Sequence, residues 1–150
     1  MRYAKPILIL VCLFVTDTRL AEAKPNILLI VSEDNGPELG CYGDRFARTP
    51  HLDQLAANGI LFRRAFVPQA GCSQSRASFL TGLYPGQSGV RDNRVLLRDA
   101  LPEVTTLPQL FRQHGYDVVR VGKLFHYDNP GEIGTSGQDD NPSWDETYNP

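Results

Sequence analysis

Pro25-Asn26-Ile27-Leu28-Leu29-Ile30-Val31-Ser32-Glu33-Asp34-Asn35-Gly36-Pro37 reads as a strand and the turn that ends it. Five consecutive apolar residues, three of them β-branched, predict a strand buried on both faces, because a half-exposed strand would alternate apolar with polar positions. The acids and turn formers after Val31 stop that strand. Acids at the carboxyl end of a buried strand lie where α/β sheets place their ligands.

The downstream pattern alternates in type. Residues 49–59, Thr49-Pro50-His51-Leu52-Asp53-Gln54-Leu55-Ala56-Ala57-Asn58-Gly59, predict a helix with Thr49 as N-cap, Pro50 in the first position and Gly59 as its stop. A short strand is expected over 60–66 and a second helix over 73–80. A third helix is expected over 107–114, with Thr106 and Gln109 as a capping box and Gly115 ending it. The β-rich run 116–121 predicts a strand entering Gly122-Lys123. Strands alternating with helices give an α/β fold with a mainly parallel sheet. There is no internal repeat. Residues 127–150 are dense in Gly, Asn, Asp and Pro and read as a long loop of functional or disordered type. The end at Asn149-Pro150 carries no closing element, which reads as a truncation.

The 150 residues suffice for one compact domain. A basic start, an apolar run over 6–15 and the small-x-small site Ala21-Glu22-Ala23 predict a signal peptide, residues 1–23, and export to the periplasm or the extracellular space. The apolar run is too short for a stable membrane span. Net charge is −2 with no long basic run, which excludes a general nucleic-acid binder and leaves only local anion recognition. After cleavage two cysteines remain, Cys41 and Cys72, in a compartment that permits disulfides. They could form a bridge, or Cys72 could be a reactive group.

Three clusters carry chemistry. Glu33 and Asp34 crowd at a strand end, where they would suit a hard cation such as Ca²⁺ or form a solvated turn. Cys72 and Arg76, four apart at a helix start, share one side, and the helix N-terminus favours an anion there. A half-disulfide beside a surface arginine is the plainer reading. Lys123 and His126 follow a strand, the lysine suited to a tetrahedral oxyanion and the histidine to protonating a leaving group. Each could equally be a structural residue at a strand end.

Five blocks in order change the weight of these clusters. They are Lys24-Pro25-Asn26-Ile27-Leu28-Leu29-Ile30-Val31-Ser32-Glu33-Asp34, Leu39-Gly40-Cys41-Tyr42-Gly43-Asp44, Thr49-Pro50-His51-Leu52-Asp53-Gln54-Leu55-Ala56, Cys72-Ser73-Gln74-Ser75-Arg76-Ala77-Ser78-Phe79-Leu80-Thr81-Gly82, and Gly122-Lys123. In order and spacing they resemble the N-terminal part of a type I sulfatase, a formylglycine-dependent member of the alkaline phosphatase-like superfamily. The run Val121-Gly122-Lys123-Leu124-Phe125-His126, with Asp139-Asp140 and Ser143-Trp144, resembles the iduronate-2-sulfatase branch more narrowly.

The resemblance implies an alkaline phosphatase-like sandwich with a mainly parallel central sheet, of which residues 24–150 form the N-terminal portion of the catalytic domain. It implies that Cys72 is oxidised to formylglycine by a formylglycine-generating or anaerobic sulfatase-maturating enzyme. The hydrated aldehyde would attack the sulfur of a sulfated carbohydrate or other organic sulfate ester. Glu33, Asp34 and the modified Cys72 would hold Ca²⁺, Arg76 would orient the formylglycine, and Lys123 and His126 would bind sulfate or assist the leaving oxygen. Gln74 stands where the family usually has proline, and Glu33 where aspartate is commoner. Further metal ligands, a lysine and a histidine are implied beyond this region, so the 150 residues alone are not expected to form a competent sulfatase. Two rivals stand beside this reading: a phosphodiesterase or phosphonate hydrolase on the same scaffold, and an inactive glycan-binding domain with Cys72 unconverted.

Overall fold

The computed structural model describes residues 24–128 and 131–149; the expected signal peptide over 1–23 lies outside the described residues. The chain divides into two units, Met1–Ile30 and Val31–Pro150. Residues 24–30, the described part of the first, adopt no regular secondary structure. The strand expected over 27–31 is therefore not formed. A strand exists only through the ladder it shares with a neighbour, and the described residues contain one ladder, which does not include it.

From Val31 onward the elements are a 3₁₀ turn Gly40–Tyr42, α1 (Pro50–Asn58), α2 (Cys72–Thr81), α3 (Pro85–Ser88), α4 (Leu97–Ala100), α5 (Leu107–Gln113), β1 (Val119–Val121), a 3₁₀ turn Asn141–Ser143 and β2 (Glu146–Tyr148). The helix expected over 49–59 is α1, with Pro50 in its first turn. Thr49 precedes it, but its hydroxyl does not cap it. That hydroxyl accepts from the Gly40 amide at 2.9 Å and donates to Asp53 Oδ1 at 3.0 Å, and Asp53 Oδ1 also accepts from the Cys41 amide at 2.7 Å. Asp53 thus ties the Gly40–Tyr42 turn to α1. The strand expected over 60–66 is also absent, and Ile60, Phe62 and Phe66 are exposed.

The centre of the fold is α2. Ala77 and Leu80 pack with Val90, Leu97, Phe125 and Trp144 in the core, and the Phe125 and Trp144 rings meet edge to face at 6.2 Å. Ser73, Gln74, Arg76 and Ser78 on the same helix are buried too. Gly82 ends α2 in the left-handed conformation at φ 74°, its amide bonded to Ser78 O. Nothing lies within 4 Å of where a Cβ would sit there, so the dihedral and not the space favours glycine.

The expected capping box of the third helix is formed at α5: Thr106 Oγ1 accepts from the Gln109 amide at 3.2 Å while the Thr106 amide reaches Gln109 Oε1 at 3.4 Å. The strand expected over 116–121 is realised in its last three residues as β1. It pairs in parallel with β2, Val119 opposite Glu146 and Val121 opposite Tyr148. A parallel pair needs a crossover of a dozen or more residues, and the segment expected as a loop over 127–150 contains that crossover and β2 itself. A small parallel sheet with several helices fits the α/β class; a larger sheet is not formed among the described residues.

Arginine–aspartate pairs hold the crossover. Arg98 grips Asp140 through Nε at 2.6 Å and Nη2 at 2.9 Å. Arg112 pairs with Asp145, whose other oxygen accepts from the Val118 amide at 2.8 Å. Arg120 on β1 pairs with Asp139 at 2.6 Å, both side chains almost fully buried. The Val118 amide, then Arg112, hold the Asp145 carboxyl below its ordinary range, and the hydrogen bond to Asp140 raises the Arg98 guanidinium.

Candidate active site

The amino end of α2 gathers five of the six residues singled out in the sequence: Glu33, Asp34, Cys72, Arg76 and Lys123. Cys72 is the first residue of α2, and Gly71, in extended conformation, precedes it. Asp34 adopts the left-handed conformation at φ 51°, which aspartate tolerates better than most residues. Glu33, Asp34 and Cys72 each offer a ligand atom, and these atoms lie within 4.8 Å of one another.

Arg76 sits one turn along α2 and is buried. Its Nη1 donates to Leu124 O at 2.9 Å and Lys123 O at 3.2 Å, which fixes the guanidinium on the backbone that follows β1. Its Nη2 faces Glu33 Oε1 at 3.6 Å. Lys123 Nζ pairs with the same Glu33 Oε1 and lies 5.0 Å from the centre of the Tyr127 ring. Glu33 is thus shared by two cations that come from different elements. Gly122, at φ 72°, makes the turn from β1 into Lys123.

His126 is buried on the same connection. Its Nε2 lies 3.2 Å from Asp128 Oδ1, while Nδ1 is buried without a hydrogen-bond partner. Cys41 and Cys72 are both free cysteines. Cys41 lies instead beside Asp53, Ala56, Ala57 and Leu61 in a cavity of about 400 Å³.

Chemically, the arrangement suits a bound anion: a fixed arginine and a lysine stand at a helix start. It also suits a hard cation, on one condition. Two carboxylates give oxygen donors, whereas a thiol is a soft ligand that Ca²⁺ does not favour. An oxygen in place of the Cys72 sulfur would make the donor set uniformly hard.

Three contributors were not singled out in the sequence. Tyr127 flanks Lys123, Asp128 meets His126, and Asn93 accepts from the Ser73 amide at 3.1 Å. Tyr127 and Asp128 adjoin His126 and could have been suspected from that. Asn93 lies 20 residues from Ser73, and no local pattern marks it.

The profile of the family described as Sulfatase matches residues 25–149. Human iduronate 2-sulfatase is 45% identical over 120 residues, covering 79% of this chain and 21% of that protein. Human arylsulfatase D is 40% identical over 134 residues, 81% of this chain and 23% of the relative. The ulvan-active sulfatase of Formosa agariphila is 41% identical over 101 residues, 67% of this chain and 20% of the relative. The chain spans about a fifth of the length of these curated relatives.

Proposed function

The chain belongs to the sulfatase family, and from that membership we propose that the full-length protein is an exported sulfuric ester hydrolase, iduronate-2-sulfatase-like, cleaving sulfate esters of sugars or related organic sulfates. Residues 24–150 are the N-terminal portion of its catalytic domain, with the architecture of an alkaline phosphatase-like sandwich. The convergence of Glu33, Asp34 and Cys72 within 4.8 Å supports this reading best.

Cys72, converted to formylglycine by a formylglycine-generating or anaerobic sulfatase-maturating enzyme, supplies a hydrated aldehyde as nucleophile. Glu33, Asp34 and that modified side chain would hold Ca²⁺, which would supply charge neutralisation for the bound sulfate. The other roles belong to this chain's own groups. Arg76, held by two carbonyls, is a cation that need not reorganise, and it orients the side chain at position 72. Lys123 binds a sulfate oxygen, exchanging part of its pairing with Glu33 for the substrate. His126 uses its unpartnered Nδ1 side to bind sulfate or to protonate the leaving oxygen.

Turnover of an aryl sulfate and an aryl phosphodiester by the full-length protein, measured side by side, tests the reading. Sulfate release well above phosphodiester cleavage is expected. A preference for the phosphodiester would overturn it and select a phosphodiesterase on the same scaffold.

A further inference from the structure

The start of α2 lacks a cap of its own. Gly71 has no side chain to accept from the first amides of the helix, and no side-chain cap is made there. Asn93 supplies one from outside the helix: its Oδ1 accepts from the Ser73 amide at 3.1 Å. Two residues earlier in the same segment, Arg91 O accepts from Gln74 Nε2 at 2.9 Å. The first turn of α2, with Cys72 at its head, is therefore stitched twice to residues 91–93.

Asn93 also faces the other way. Its backbone carbonyl accepts from Gln138 Nε2 at 2.5 Å, and the Gln138 amide donates to His126 O at 2.9 Å. A chain of three hydrogen bonds thus runs from the residue after Cys72, through Asn93 and Gln138, to the backbone of His126. The two places are far apart in sequence, and these bonds join them by a route separate from that of Arg76 to Lys123 O and Leu124 O.

We propose that Asn93 is a positioning residue, which caps α2 in trans and, through Gln138, fixes the Cys72 helix start relative to His126. Asn93 touches neither the reacting sulfur nor the metal in this scheme and acts only through Ser73 and Gln138. Its catalytic consequence rests on the sulfatase reading above; the hydrogen bond to Ser73 does not. Asn93 is exposed, so truncating it removes no core contact and the variant should fold.

The test compares the full-length protein with its Asn93→Ala and Asn93→Asp variants by amide exchange at Ser73, formylglycine content and steady-state kinetics on an aryl sulfate. Asp keeps the accepting oxygen and suits a helix N-terminus. Loss of the cap in Asn93→Ala should speed exchange at Ser73 about fivefold. It should lower kcat per formylglycine about tenfold while KM changes less than about twofold, as for misplaced reacting groups. Asn93→Asp should restore both exchange and kcat. The proposal is overturned if Ser73 exchange is unchanged in Asn93→Ala, if Asn93→Asp behaves as Asn93→Ala does, or if KM rises while kcat holds. Should the unaltered protein release no sulfate, the sulfatase reading fails, and the Ser73 exchange with its rescue still decides whether Asn93 caps the helix.

Discussion

Replacing Asp139 removes the carboxylate that pairs with Arg120, the buried cation on β1. Arg120 and Asp139 are 3% and 4% exposed at a separation of 2.6 Å, so solvent cannot take the place of either. Asp139 Oδ1 also accepts from Trp144 Nε1 at 2.8 Å and from the Asp140 amide at 2.9 Å. Arg120 keeps Asn149 Oδ1 at 3.0 Å and Gly122 O, but its Nε has no partner even in the native protein. Asp139→Ala leaves this guanidinium without a counter-charge and two donors without an acceptor, a loss of about 3–5 kcal/mol. Asp139→Asn keeps a carbonyl for Trp144 but turns an NH₂ toward Arg120 in place of Oδ2, so the buried cation still loses its partner, at about 3 kcal/mol. Exchanging both residues for apolar ones, Arg120→Met with Asp139→Leu, should recover the part of the loss that comes from the unpaired charge, while Trp144 Nε1 and the Asp140 amide stay without their acceptor. Urea unfolding of the full-length protein measures these differences. A loss below about 1 kcal/mol for Asp139→Ala, the size of an exposed pair, would refute the reasoning.

Other outcomes follow from the same contacts. The carboxyl of Asp145 is held below its ordinary value of 3.8 by the Val118 amide and Arg112. Its contribution is complete above that value and is lost as pH falls through the depressed one. A melting profile between about pH 2 and 6 should therefore be flatter at its acid end in Asp145→Asn. Thr106→Ala removes the α5 cap and a buried contact to Ser143 Oγ; unfolding should show a loss of about 1–2 kcal/mol that Thr106→Ser largely restores. If Ca²⁺ occupies the Glu33 and Asp34 site, chelation should lower the melting temperature and added Ca²⁺ should restore it. The stabilisation is about 2.7 kcal/mol at a concentration one hundred times Kd.

Local signals in the sequence located the longer helices and β1, and missed β2, the partner that makes β1 a sheet. Pro50 and the Thr106–Gln109 box act within a few residues of themselves, so α1 and α5 were legible, and the run over 73–80 marked α2. Pairing is not local. Ile27-Leu28-Leu29-Ile30-Val31 has strand composition yet no ladder among the described residues, while Glu146-Thr147-Tyr148, exposed and undistinguished, pairs with β1. The helices α3 and α4, four residues each, are too short for a periodic pattern. At the candidate site the six residues came from spacing and resemblance, and the structure brings Glu33, Asp34, Cys72, Arg76 and Lys123 together. Asn93 and Gln138, which link the start of α2 to the backbone of His126, are bonded across 20 and 45 residues and left no trace in any window of sequence.

The central claim concerns one side chain. The mass of the tryptic peptide 65–76 from the full-length exported protein reads it directly, since cleavage after Arg64 and Arg76 isolates Cys72 with no other cysteine. The account predicts a peptide in which the CH₂–SH of Cys72 has become an aldehyde, and which reacts with a hydrazide probe. An intact thiol throughout, or a peptide disulfide-linked to Cys41, would contradict it.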